Sequence, residues 1–149
     1  MNNIFSENIT WSIGIIVILL GIIAAHRLVL YREKRNKFFD ESAKFRGKIL
    51  SELEGIYPIP GTWQPQDYFR FRQSIPKVES AAAEFGHFIS RKSELEATVK
   101  EYREYCWKVS FEGVSAWHIY KSSLNLDPIS PEDTFKQIIE HLFSFTVKK

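Results

Sequence analysis

The stretch from Trp11 to Tyr31, WSIGIIVILLGIIAAHRLVLY, most constrains what this chain can fold into. No side chain from Ile9 to Ala25 is charged, and Leu28-Val29-Leu30-Tyr31 carries the apolar character past His26-Arg27. A bilayer core asks for about 20 mostly apolar residues at about 1.5 Å rise each. The span from Ile9 to Tyr31 meets that length, with Trp11 and Tyr31 placed as interfacial aromatics. Arg27 lies one turn inside the end, where its long stem can snorkel to the headgroups. A small soluble domain rarely hides a helix that is apolar on every side, so the stretch reads as a transmembrane helix.

A cleaved leader is the competing reading. Residues 1–10 contain Glu7 and no Lys or Arg, and bulky Ile23 stands three residues before the end of a cut after Ala25. A leader needs a basic start and small residues at the cut, so the segment is expected to stay as an anchor. After the span come Arg27, Arg32, Lys34, Arg35 and Lys37, then Lys44, Arg46 and Lys48, against Glu33, Asp40 and Glu41. Basic residues stay on the cytoplasmic side, which puts the N-terminus outside and the rest in the cytoplasm of an inner-membrane, single-pass protein. The expected division is a tail over 1–9, the span over 10–31 and a cytoplasmic helical domain over 32–149.

The 149-residue chain leaves enough length after the anchor for one small core. Net charge is only +2, so the basic excess is local, unlike that of a nucleic-acid-binding domain. Cys106 is the sole cysteine, which removes any intrachain disulfide. Aromatics at 15%, twelve of them Phe, argue for a packed domain.

Helical periodicity dominates the chain beyond the anchor. Phe38, Phe39, Ala43, Phe45, Ile49, Leu50 and Leu53 recur at helical spacing and predict one apolar stripe. Gly55 and Pro58 predict its stop, and nothing breaks the run from Tyr31. Residues 56–65, with three prolines and a glycine, predict an irregular loop packed on the bundle through Ile56, Tyr57, Ile59 and Trp63. Pro76 predicts a helix start after a short QDYFRFRQS helix. From there Val78, Ala82 and Phe85, then Phe88, Lys92, Leu95, Val99, Tyr102, Cys106 and Val109, step by three and four as a coiled-coil seam. One helix to about Ser110 is favoured over a turn at Ser90–Ser93 with Ser93 as a cap. Val114–Tyr120 reads as helix or strand. Ser130-Pro131-Glu132-Asp133 is a capped helix start, followed by buried-face residues Phe135, Ile138, Ile139, Leu142 and Phe143. The fold class is all-α, one transmembrane helix followed by a bundle of about three to four helices.

Phe45 to Pro58, FRGKILSELEGIYP, with Trp63 beyond it, resembles a group of uncharacterised small bacterial single-pass membrane proteins. The resemblance implies the anchor-plus-domain architecture and attaches no activity to it.

Motifs for chemistry are sparse. Glu84-Phe85-Gly86-His87 has the E-x-x-H spacing of di-iron bundles, which need two such motifs and two more carboxylates. His26, His118 and His141 have no partner at ligand spacing. Cys106 falls on the seam, where a free thiol is usually an inert core residue. Neither a phosphate-cradling glycine loop nor H-E-x-x-H nor C-x-x-C occurs. The expectation is therefore no enzyme and no cofactor or metal. Arg27, Arg32, Lys34, Arg35 and Lys37 are the candidate contacts to anionic lipid headgroups, each worth about 1 kcal/mol near the surface. Nucleic acid, whose phosphates would attract the same residues, is the weaker alternative because the cluster adjoins the anchor. Tyr68-Phe69-Arg70-Phe71-Arg72 suggests an interfacial element or a stacking surface for single strands, with packing of Phe69 and Phe71 into the bundle the leading reading. Gly14, Gly21 and Ala25 can lie on one face and pack against a second membrane helix. Two functions are expected from this: a membrane-anchored scaffold that binds a protein partner or itself, or an oligomeric membrane-active effector such as a toxin or defence component.

Overall fold

The computed structural model describes the backbone of residues 2–59, 63–124 and 130–147, and the side chains of 14–59, 63–119 and 130–147. The fold is all-α. The elements are α1 (Asn2–Glu52), α2 (Pro65–Phe85), a single 3-10 turn (Gly86–Phe88), α3 (Lys92–Lys108), α4 (Phe111–Leu124) and α5 (Pro131–Ser144). Two compact units divide the chain, Met1–Phe38 and Phe39–Lys149.

The first unit is helix throughout its described length. α1 is long and apolar enough to cross a membrane: its most apolar window has a mean hydropathy of 2.2, and none of that window is buried. Ile15 through Leu30 expose their large side chains by 43–64%. The tail expected over residues 1–9 is helical from Asn2, and the side chain of Trp11 lies outside the described residues.

In the second unit the end of α1 has a single buried face, made of Ser42, Phe45 and Ile49 and continued by Leu53 just past the helix. The expected stripe is thus narrower than its sequence suggests: Phe39, Ala43 and Leu50 are exposed and Phe38 half-buried. Leucine and phenylalanine at these flanks cost little, since isolated apolar residues are common on protein surfaces. α1 ends where Gly55 takes a φ of +79°, a conformation that disfavours any side chain. A Cβ there would also lie 3.1 Å from the Arg70 guanidinium. That guanidinium receives the Glu54 carbonyl as hydrogen-bond acceptor, so a cation closes the negative end of the helix.

α2 runs without interruption through Pro76, which is not a helix start. Proline removes the N–H that would bond the Arg72 carbonyl. Pro76 and Arg72 both face solvent, where water can serve that carbonyl, while Phe71, Ser74, Ile75 and Val78 keep one buried face continuous across the site. The helix begins at Pro65, and Asp67 accepts a 2.8 Å bond from the Gln64 backbone N–H.

The long helix expected from Pro76 to Ser110 is two helices. α2 tightens into the 3-10 turn, Ile89 is extended, and α3 starts at Lys92 with Arg91, not Ser93, at its cap position. Of the seam residues, Val78, Ala82, Phe85, Leu95, Val99, Tyr102, Cys106 and Val109 are buried as expected and Phe88 is half-buried, but the two arms face each other across a hairpin. Ser74 meets Tyr102 and Glu79 meets Arg103, while a Cβ at Gly86 would lie 3.4 Å from the Lys92 side chain, so the arms are antiparallel. Lys92, the seam's polar exception, is exposed at the turn.

α5 packs antiparallel to α3, with Tyr105 beside Pro131 and Thr98 beside His141. Its Ser130 cap accepts from the Asp133 N–H at 2.9 Å, and Phe135, Ile138, Ile139, Leu142 and Phe143 are all buried, as the sequence predicts. Phe135 is the hub of the core, its ring 5.0 Å from Phe71, 5.5 Å from Trp63 and 5.7 Å from Tyr105. The loop before α2 packs on this hub through Tyr57 and Trp63, and Ile56 is buried with them, with residues 60–62 outside the described set. The stretch from Val114 is helix, part of α4.

Candidate membrane-contact site and buried polar cluster

On α1, Gly14, Gly21 and Ala25 fall within an arc of about 40° at 100° per residue. A Cβ at Gly14 or Gly21 would meet nothing within 4 Å, and Ala25 is exposed. A second helix could approach closely along this arc. Arg27, Arg32, Lys34, Arg35 and Lys37 are exposed, and at the same step per residue they spread over about 220° of the circumference. Tyr31 is 56% exposed. Directly after an uncharged span, such a broad collar of cations can meet anionic headgroups over more than half of the helix circumference.

Inside the bundle the sequence motifs disperse. Glu84 pairs with Lys48 at 2.5 Å, and His87 sits in the 3-10 turn beside Lys92 on the wall of a cleft of about 330 Å³ between α2 and α3. Among the described residues no group of three or more His, Cys, Asp or Glu is arranged to hold a metal ion. The Cys106 side chain is fully buried, and burial pushes its thiol up to about 12, against a smaller opposing effect of the Tyr102 hydrogen bond. The thiolate that a nucleophile requires is therefore suppressed at neutral pH.

One cluster has no signature in the sequence. His118 on α4 lies 2.9 Å through Nε2 from Glu132 Oε1 on α5, and Glu132 is buried. The two stand across a connection with no helical spacing between them, so periodicity carries no signal for the pair. Glu132 occupies the first turn of α5, where the positive end of the helix dipole favours a carboxylate. Burial pushes the Tyr68 phenol up to about 12, and the Glu132, Asp67 and Glu112 carboxylates add to the effect. Tyr105 shifts in the same direction, again chiefly by burial, and donates to the Pro131 carbonyl at 2.6 Å. The Tyr68 hydroxyl and Glu132 Oε2 find no hydrogen-bond partner among the described residues. His141 Nδ1 lies 3.4 Å from the Thr98 hydroxyl, at the long end of hydrogen bonding.

Residues 68–72 divide between interior and surface. Tyr68 and Phe71 are core residues, whereas Phe69 is 70% exposed, which corrects its expected packing into the bundle. Arg70 closes α1, and Arg72 lies over the Trp107 ring with its guanidinium carbon 5.3 Å from the centroid.

No family model, curated protein or solved structure matches this chain.

Proposed function

We propose that this chain is a single-pass, membrane-anchored scaffold. The long apolar helix spans the inner membrane with its N-terminus outside, and the bundle binds another protein at the cytoplasmic face. Arg27, Arg32, Lys34, Arg35 and Lys37 contact anionic headgroups, and no nucleic acid or small-molecule substrate is involved. One observation carries the reading: large apolar side chains from Ile15 to Leu30 are exposed on all sides of α1. Leaving them in water forfeits about 25 cal/mol for each Å² that lipid would cover. After lysis without detergent the full chain is expected in the ultracentrifuge pellet, resistant to alkaline carbonate and released by detergent. Recovery in the supernatant overturns the proposal. Replacing Arg32, Lys34, Arg35 and Lys37 together by Gln is expected to abolish enrichment of anionic lipid around the purified chain in mixed bilayers.

The arc of Gly14, Gly21 and Ala25 favours a second reading, an oligomeric membrane-active effector. Overexpression is then expected to dissipate the membrane potential, and Gly21→Leu to prevent it. Unchanged potential in both cases removes this option.

A further inference from the structure

At one end of the α2–α3 hairpin, aromatic side chains stand in solvent around an arginine. Phe69 and Arg72, three residues apart, share the outer face of α2. Trp107 on α3 is 60% exposed and lies under the Arg72 guanidinium. Phe111, 41% exposed, opens α4 with its ring 6.1 Å from that of Tyr68. The other cations of these two helices near this end are matched to acids: Arg70 with Asp67, Lys77 with Glu52, Arg103 with Glu79 and Lys108 with Glu104. Arg72 has no carboxylate within ion-pair distance among the described residues.

A guanidinium resting on an indole is held in place by the ring's quadrupole, and its planar fork of N–H donors matches a carboxylate. Exposed Trp, Phe and Arg are the side-chain types that concentrate binding energy at protein interfaces. The geometry points to Phe69, Arg72, Trp107 and Phe111 as a docking surface for a peptide segment of a partner protein, in which a Glu or Asp flanked by apolar side chains meets Arg72. The inference rests on the reading of the bundle as a protein-binding module and names the surface it uses. Local charge favours a peptide over an anionic membrane. Lys108 and Glu104 offset each other, which leaves Arg72 as the patch's unpaired cation among the described residues, and one cation gives little field with which to attract a charged sheet. A single carboxylate placed against Arg72 needs no such field.

The test uses the full chain in nanodiscs of phosphatidylcholine. The probes are end-blocked peptides of alternating Leu and Glu, of Leu and Gln, and of Leu and Lys. The readout is the indole N–H resonance of Trp107, assigned by its loss in Trp107→Phe. The Glu peptide is expected to move this resonance and to bind about tenfold or more tightly than the Gln peptide, with the Lys peptide weakest. Arg72→Gln is expected to bring the Glu-to-Gln ratio close to one, and Phe69→Ser to weaken both peptides alike. Both sites are exposed, and unchanged helical circular dichroism and thermal midpoint check that the variants fold. Equal binding of the Glu and Gln peptides, or a ratio that survives in Arg72→Gln, overturns the inference. So does a shift of the resonance caused by added phosphatidylglycerol alone and lost in Arg72→Gln, which assigns the patch to lipid. If the peptides fail while the chain still pellets with membranes, the docking surface falls and the anchor stands. A chain found in the supernatant removes the anchor whatever the peptides do.

Discussion

α1 lives under two different rules along its own length. From Ile15 to Leu30 its large apolar side chains are exposed whichever way they point, and no face is distinguished from another. From Phe39 to Glu52 the same helix buries Phe45 and Ile49 on one side and exposes Asp40, Ala43, Gly47 and Ser51 on the other. Backbone geometry is common to both parts, so the solvent each is composed for makes the difference. A helix that meets protein on one side needs a period, and a helix composed for an apolar medium needs only uniform hydrophobicity.

The largest expected effect lies in the periodic part's own core. Phe135 is fully buried and its ring is surrounded by Trp63, Phe71, Tyr102 and Tyr105. Phe135→Ala removes contacts with all of them and leaves a cavity, at a cost of about 3–5 kcal/mol. Urea denaturation followed by the Trp63 fluorescence is expected to show a collapse of the bundle's midpoint, with membrane association unchanged. A bundle that keeps its midpoint denies Phe135 its place as hub.

Next comes a charge placed in the uniform part. Leu19→Arg puts a guanidinium in the middle of the apolar stretch, at a cost of about 2.5–3.5 kcal/mol on insertion scales. The fraction of chain in the membrane pellet is expected to fall several-fold while the bundle's urea midpoint stays put. Full retention would mean that the apolar stretch is not held by lipid, and the contrast between the two parts of α1 would fail.

The contrast also explains how much of the fold is legible in the sequence. Uniform apolarity needs no partner to be recognised, so the long apolar helix is plain, and α5 is plain because Ser130 caps it and its five large apolar residues share one face. The hairpin is not. An antiparallel turn keeps both arms' buried faces inward, so the three-and-four stepping from Val78 to Val109 continues through the break and imitates one seam. The usable signal is Lys92, a cation where a seam needs an apolar residue, next to Ser90 and Ser93. Pro76 misleads in the opposite direction, because a proline on the wet side of a helix need not end it. The aromatic patch and the His118–Glu132 pair depend on which helices meet, and no local spacing encodes that.

A smaller effect concerns the point where α1 stops. Gly55→Ala imposes a side chain on a left-handed residue and presses a Cβ toward Arg70, which holds the Glu54 carbonyl. The backbone conformation alone costs about 1–2 kcal/mol. The bundle's urea midpoint is expected to drop accordingly, by less than in Phe135→Ala. An unchanged midpoint would show that the turn relaxes without Arg70.

The smallest effect sharpens the comparison most directly, because it removes a charge from the same helix that cannot accept one at Leu19. Lys48 is exposed and pairs with Glu84 on α2 at 2.5 Å, with both side chains more than half in solvent. In water the pair's attraction is largely offset by hydration and by the entropy of two long side chains, so Lys48→Gln is expected to cost under about 1 kcal/mol. Raising salt from about 0.05 to about 0.5 M should erase even that difference, since the Debye length then falls below the reach of exposed charges. A cost as large as that of Leu19→Arg, or one that salt leaves untouched, would mean that α1 meets the bundle through a desolvated ion pair, and that its second part is composed for protein on more than one side.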